Sequence, residues 1–216
     1  MPDLVDEVDE ELRAERAKRL AKRYGGLLAG VLLLAVAGVA GFEGWRWYEA
    51  RQARAAADTF LAAMREAAAE GADLNGAATR FAAVGQEAPA GYRVLARLRA
   101  AALFAETGQR DAALRAYESV ASDTGAAPLY RDLATVLWGL HALDGGDPAL
   151  IAARLTPLAA PDAPWRASAR EVLVIVAVRR GEAPEARRHL EALLADEATP
   201  PALRERAGRL IQGLGT

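Results

Sequence analysis

The chain has 216 residues, a formal net charge of −2 and no cysteine; 52% of it is hydrophobic, only 6% is aromatic, and about a quarter is Ala. The missing cysteines exclude a disulfide scaffold and any Cys-ligated metal, the lack of a basic excess speaks against nucleic acid, and the apolar content excludes whole-chain disorder. Counted with Gly in and Tyr out, the apolar share is 58%, above the ~45–50% of soluble domains, so one part of the chain must hold the surplus.

Residues 3–24, DLVDEVDEELRAERAKRLAKRY, are acidic in their first half and basic in their second. That order suits a helix dipole. Asp9–Arg13 and Glu15–Arg19 are i,i+4 pairs with the acid first, the better orientation. Val5, Val8 and Leu12 form a short apolar stripe. Residues 1–24 read as a charged cytoplasmic tail, either a solvated helix with basic residues near anionic headgroups or one offering its stripe to a partner.

Gly25 to Phe42, GGLLAGVLLLAVAGVAGF, carries no charged or polar side chain. At ~1.5 Å per residue it spans roughly 27 Å, and about 36 Å on to Tyr48, enough to cross a bilayer. The pattern predicts an uncleaved transmembrane anchor over 25–46. Tyr24 stands at one end, and Phe42, Trp45, Trp47 and Tyr48 crowd the other, where an interfacial aromatic belt belongs. Arg13, Arg16, Lys18, Arg19, Lys22 and Arg23 precede the run, against Arg46, Arg51 and Arg54 after it, which predicts a cytoplasmic N-terminus in the bacterial inner membrane. A cleaved signal peptide is the rival, since AVAGVAG has small residues at suitable spacing. However, the run exceeds the usual ~7–15 apolar residues of such peptides, and no Pro occurs between Asp3 and Ala88. A buried core helix of this length would show a polar face. Gly26, Gly30, Ala37 and Gly41 share one helical face, where another helix can approach closely; lipid-facing small residues are the plainer reading.

From residue 47 on the pattern is helical, predicting an all-α periplasmic domain over 47–216. A first hairpin is expected over about 47–87, turning near Gly71 and Gly76. Four segments then share a register: Pro89 to Ala96, Pro128 to Ala134, Pro164 to Ala169 and Pro201 to Ala207. Each holds an Arg (Arg93, Arg131, Arg166, Arg204) with Ala three residues later. Gly108, Gly146 and Gly181 follow the first three arginines by fifteen residues. Pro suits a helix start, and Gly supplies the left-handed conformation that ends a helix. Leu95, Leu98, Ala102 and Ala105 read as the core face of one first helix; Ala113, Ala116, Tyr117 and Val120 as that of its partner. Helix–turn–helix units of 34–38 residues are the tetratricopeptide-type signature. The stretch from Gly108 to Tyr117 matches it best, whereas Pro148 and Pro184 open the other second helices. Residues 201–213 read as a capping helix. The expected surface is concave and suited to peptides or partner helices.

The membrane exit Gly44-Trp45-Arg46-Trp47-Tyr48, the Ala-rich helix after it with Phe60, and the C-terminal run Trp165…Gly181…Ala186…Leu190…Pro201…Ala207…Leu210 together resemble the YfgM-like family. These are ancillary subunits of the SecYEG translocon with a tetratricopeptide-like domain. The resemblance implies a single-pass inner-membrane protein without enzymatic activity. It implies as partners the SecYEG translocon, exported polypeptides and periplasmic chaperones, such as a prolyl-isomerase-like membrane partner. A membrane-anchored scaffold for cell-envelope assembly, unconnected with the translocon, is the alternative. A soluble secreted repeat protein is a further one.

Little else points to chemistry. His141 and His189 are the only histidines, and no nucleophile elbow, phosphate loop or zinc-protease motif occurs. Asp111 and Asp147 follow turn glycines and read as helix N-terminal charges. No cofactor, metal, small-molecule substrate or catalytic residue is expected. The domain after the span has no Lys and a single Asn, Asn75, so a carboxylate-clamping groove would have to rely on arginines such as Arg93, Arg97, Arg131 and Arg166. Arginines lying along the repeat surface are the equal alternative.

Overall fold

A computed structural model of the chain describes residues 3–214, with side chains from Lys18 onward except at Leu20, Ala21, Leu28 and Ala90. The Val5–Val8–Leu12 stripe and the side-chain pairs at Asp9–Arg13 and Glu15–Arg19 therefore lie outside the described residues. The chain divides into two compact units, Met1–Gln52 and Ala53–Thr216. Helix α1, Asp3–Ala67, crosses that boundary.

In the first unit every described residue is helical. Absence of Pro permits this, and Ala, Leu, Arg and Glu favour it. The six glycines between Gly25 and Gly44 cost helix stability in water, about 1 kcal/mol each. In a bilayer the balance differs, because backbone groups there must bond within the helix.

The second unit is a series of helical hairpins with no strand among the described residues. The end of α1 pairs with α2, Leu74–Glu87; α3, Ala90–Glu106, with α4, Arg110–Ala121; α5, Pro128–Ala142, with α6, Pro148–Leu155, which runs into a 3-10 turn at Thr156–Ala159; and α7, Arg166–Arg179, with α8, Ala183–Ala195. Helix α9, Pro201–Gly213, stands alone at the end. Pro opens α5, α6 and α9 and lies in the first turn of α8, where its missing N–H leaves nothing unpaired.

Glycine ends the first helices by one repeated device. Gly108 has φ 75° and Gly181 φ 72°. The N–H of the next residue bonds back five positions, Gln109 to the Phe104 carbonyl at 2.8 Å and Glu182 to the Ala177 carbonyl at 2.9 Å. That is a Schellman closure. The middle hairpin departs from the expected register. Its left-handed residue is Gly145, φ 97°, not Gly146. Gly146 is needed for a different reason: its N–H donates to the Ala142 carbonyl at 2.8 Å, and a Cβ there would collide with the same oxygen. Gly71, φ 72°, does end the first turn, but Gly76 lies inside α2, where its N–H donates to the capping Asp73 carboxylate at 3.0 Å.

The core is a chain of small clusters, each joining one hairpin to the next. Ala77, Ala78 and Phe81 meet Ala63 and Ala67 on one side and Ala96, Ala100 and Leu103 on the other. Tyr117 packs with Ala101 and Ala113. Val136, Ile151, Leu155, Leu173 and Val176 fill the middle, and Val174, Leu190, Leu193 and Leu203 the end. Ala at so many contacts lets backbones approach, which is where the Ala excess goes. The expected core face of α3 is corrected. Val94, Ala96, Ala100, Ala101 and Leu103 are buried, whereas Leu95 is 37% exposed. Helix α3 packs on α2, α4 and α5, so it buries most of its circumference and leaves Leu95 on the remaining strip.

Candidate functional site

In the first unit the described side chains of the apolar run from Gly26 to Phe42 are all exposed. Leu32 is 66% and Leu34 75% exposed, and the flanking Tyr24, Phe42, Trp45, Trp47 and Tyr48 are all exposed too. Burying such side chains is worth ~25 cal/mol per Å², so this surface demands an apolar surrounding. This helix is long and apolar enough to cross a membrane. Beside the run's ends, guanidinium groups lie over the rings: Arg23 over Tyr24 at 5.6 Å, Arg46 over Phe42 at 5.8 Å and Arg51 over Trp47 at 5.5 Å. These are cation–π contacts, and they keep charge next to the aromatics. Arg46 also pairs with Glu43 at 3.2 Å. On the small-residue face, a Cβ at Gly26, Gly30 or Gly41 would meet nothing within 4 Å, and Ala37 is exposed.

In the repeat unit the four register arginines have different fates. Arg166 grips the Asp196 carboxylate through Nε and Nη2, the latter at 3.0 Å. Arg204 donates to the carbonyls of Asp196, Glu197 and Thr199 at 2.9–3.1 Å, fastening the loop before α9. Arg93 and Arg131 make no side-chain hydrogen bond or ion pair among the described residues.

The residues that join helices most clearly stand four positions after Arg93 and Arg166, and the sequence reading did not single out their pairing. Arg97 donates through Nε to the Gly85 carbonyl at 3.0 Å and pairs through Nη1 with Asp123 at 3.0 Å. Arg170 donates to the Ala159 carbonyl at 3.1 Å and pairs with Asp196 at 3.3 Å. Each arginine thus sits on a first helix, ties the end of the preceding helix to it, and holds the aspartate just after the following helix. Both pairs are 26 residues apart, which is the signal that would have found them. Both aspartates also cap their loops, accepting from Gly125 N at 2.9 Å and Ala198 N at 3.0 Å. The Arg166 hydrogen bond, chiefly, holds the Asp196 carboxyl down at about 2.

A second set of contacts links hairpins at 35–36 residues, the repeat length itself. Trp165 Nε1 donates to the Leu129 carbonyl at 2.8 Å, Arg206 pairs with Glu171 at 2.7 Å, Arg154 pairs with Glu118, and Arg179 donates to the Leu143 carbonyl. Arg154 also lies 4.3 Å from the Trp138 ring centre. These arginines act as ties between repeats.

Each histidine is held by a neighbouring side chain. His141 stacks on Tyr117 at 5.5 Å between ring centres, and burial lowers its pKa while pushing that of Tyr117 up. His189 meets Glu185 at 3.1 Å; burial lowers its pKa as well. No cluster of three metal-ligating side chains occurs among the described residues. The large apolar side chains left exposed on the first helices of the repeat unit, among the described residues, are Leu61, Leu95, Leu129, Leu140 and Val178. An opening of about 280 Å³ beside Arg97 is lined by Ala82, Gln86, Ala100, Phe104, Ala116 and Ser119.

The sequence model of the tetratricopeptide repeat-like domain family matches residues 18–204. The match covers most of the chain, and the chain belongs to that family. No curated protein matches it, nor does any solved structure. The fold is one typical of non-enzymatic scaffolds that bind other proteins.

Proposed function

We propose that this tetratricopeptide repeat-like protein is a single-pass inner-membrane accessory of the Sec translocon. In this reading residues 1–24 lie in the cytoplasm, 25–46 span the membrane, and 47–216 form a periplasmic repeat domain that links exported polypeptides to periplasmic chaperones. The observation that carries it is the pairing, in one chain, of an exposed apolar helix flanked by aromatics with a helical-repeat domain. The likeness of the exit Gly44–Tyr48 and of the C-terminal repeats to the YfgM-like proteins supports the partner. Tyr24, Phe42, Trp45, Trp47 and Tyr48 would set the depth of the span. The repeat surface would do the binding, as stacked helical hairpins present an extended face to peptides or partner helices.

The test is mild crosslinking in membranes followed by purification of the full chain. Recovery of translocon subunits together with a periplasmic chaperone is the expected result. Recovery of cell-wall or outer-membrane assembly proteins instead, with the translocon absent, would favour the envelope scaffold.

A further inference from the structure

The second helices of the repeats can be compared position by position. Buried Ala77 and Phe81 of α2 stand 36 residues before buried Ala113 and Tyr117 of α4, and those two stand 38 before buried Ile151 and Leu155 of α6. Arg93 of α3 stands 38 before Arg131 of α5. By the same offsets Ala82, Ala100 and Ala116 correspond to Glu118, Trp138 and Arg154. Between α4 and α6 those three side chains bridge across α5: Arg154 pairs with Glu118, and its guanidinium lies 4.3 Å from the centre of the Trp138 ring. Between α2 and α4 all three positions are Ala, and an opening of about 280 Å³ remains over α3.

The opening has an apolar floor and a polar rim. Ala82, Ala100, Phe104 and Ala116 supply the floor. At the rim, Arg97 donates through Nε to the Gly85 carbonyl and through Nη1 to Asp123, both at 3.0 Å; its Nη2 donates to nothing among the described residues. The exposed Gln86 amide offers a further donor. Ser119 donates its hydroxyl to the Ala116 carbonyl at 2.8 Å, which leaves its oxygen to accept. Asp123 already balances the one charge among the lining residues, so these groups suit an uncharged occupant. A large apolar side chain would take the place that Trp138 fills one repeat later, and its own backbone C=O and N–H would meet Arg97, Gln86 and Ser119. At 100° per residue, Arg97, Ala100 and Phe104 fall within about 40° of the point on α3 opposite the exposed Leu95.

We propose that the opening between α2 and α4 receives one large apolar side chain of an uncharged polypeptide segment. The proposal rests on reading the repeat domain as a binder of polypeptides and is independent of the span and of the translocon.

The test uses the full chain in phosphatidylcholine discs and a blocked Gly/Ser nonapeptide with photo-leucine at its centre. Crosslinks should map to Ala82–Gln86 and Ala116–Ser119. The same peptide with a central Phe should compete about tenfold or more better than one with a central Ala. Ser119→Trp, at an exposed position, should abolish the crosslinks, as should A82E/A116R, which installs the pair found one repeat later; Leu95→Ala should keep them. Crosslinks that survive in both groove variants, or that map instead to Leu95 and Leu140, overturn the proposal and leave the domain a polypeptide binder. No competable crosslink anywhere in the repeat domain refutes that reading and the proposal together. If the chain is dimeric in the discs and Ser119→Trp makes it monomeric, the groove belongs to a second copy and the proposal falls.

Discussion

Gly139 offers the sharpest test of how the hairpins pack. It lies buried in α5, and a Cβ there would stand 2.8 Å from Leu155 Cδ1, 3.3 Å from Cγ and 3.4 Å from Cδ2. Ordinary carbon contacts are ~3.5–4.0 Å. Leu155 is fully buried among Val136, Ile151, Leu173 and Val176, so its whole branched end would have to move. Replacing a helical Gly by Ala gains about 1 kcal/mol in propensity. Overpacking a tight core costs about 1–3 kcal/mol. Because the branch carbon itself is crowded, the upper half of that range applies, and Gly139→Ala should destabilise by about 1–2 kcal/mol. At ~2–4 °C per kcal/mol for a domain of this size, the Tm should fall by about 2–8 °C. The assay is thermal unfolding of the full chain in detergent, followed by circular dichroism. Gly208→Ala is the control, since its Cβ would meet only Leu194 Cδ2 at 3.9 Å; it should stabilise by up to about 1 kcal/mol. If Gly139→Ala stabilises as Gly208→Ala does, the close approach of α5 to α6 is wrong.

The other predictions concern the core, the ties and the span. Tyr117, 1% exposed, should cost about 3–5 kcal/mol when cut to Ala, whereas Tyr117→Phe should be nearly silent in urea unfolding. Asp196 has its carboxyl pKa held low in the folded state, at about 2. Its contribution is therefore complete above the usual carboxylate range and lost as pH falls towards 2; Asp196→Asn should lower stability at neutral pH and flatten its decline in acid. His141 and His189 have lowered pKa values, so the unfolded chain takes up protons first and stability falls as pH drops below the usual imidazole range. His141→Gln should weaken that fall in stability curves recorded between neutral and mildly acid pH. Arg at both Leu33 and Leu34 adds ~2.5–3.5 kcal/mol per residue to insertion at the centre of a span, and the double variant should be extracted from membranes by carbonate while the parent chain stays.

The hairpin count and most turns were legible because they depend on residues with few substitutes. Gly108 and Gly181 are left-handed, and a side chain there would be strained. Pro128 and Pro201 sit where a helix can only begin. The apolar run was legible from its length without a polar side chain, and it forms part of a helix long and apolar enough to cross a membrane. Gly145 and Gly146 were not separable, as adjacent glycines satisfy the same pattern. The Ala142 carbonyl, which leaves no room for a Cβ on Gly146, decides between them. Leu95 was misread because helical periodicity assumes one buried face, while α3 is enclosed by three neighbours. The Arg93 register was visible as spacing, yet Arg93 itself makes no tie. The arginine that ties the helices is Arg97, and its partner Asp123 lies beyond the next helix, at a separation that a search for single repeats passes over.

The distribution of these ties carries a physical consequence. Hairpins α3–α4 and α7–α8 each have an arginine that bonds backward to a helix end and forward to an aspartate. The hairpin between them has Thr135 at the place corresponding to Arg97, and its hydroxyl bonds only to the Arg131 carbonyl of its own helix at 2.9 Å. Its second helix is also the shortest, eight residues. What this hairpin has instead is the largest apolar cluster, with Ile151, Leu155 and Leu173 buried and Trp138 and Trp165 against it. Apolar burial is non-directional, whereas an arginine held by a carbonyl and a carboxylate fixes both distance and angle. The arginine clamps thus fix orientation in the α3–α4 and α7–α8 hairpins, while the α5–α6 hairpin between them lies in the largest apolar cluster. In a repeat array where each unit contacts only its neighbours, the α5–α6 hairpin is nonetheless tied to both sides: Arg110 donates to the His141 and Ala142 carbonyls at 3.1 and 3.2 Å, Arg154 pairs with Glu118, and Trp165 and Arg179 donate to the Leu129 and Leu143 carbonyls, so its orientation is fixed from its neighbours rather than from within.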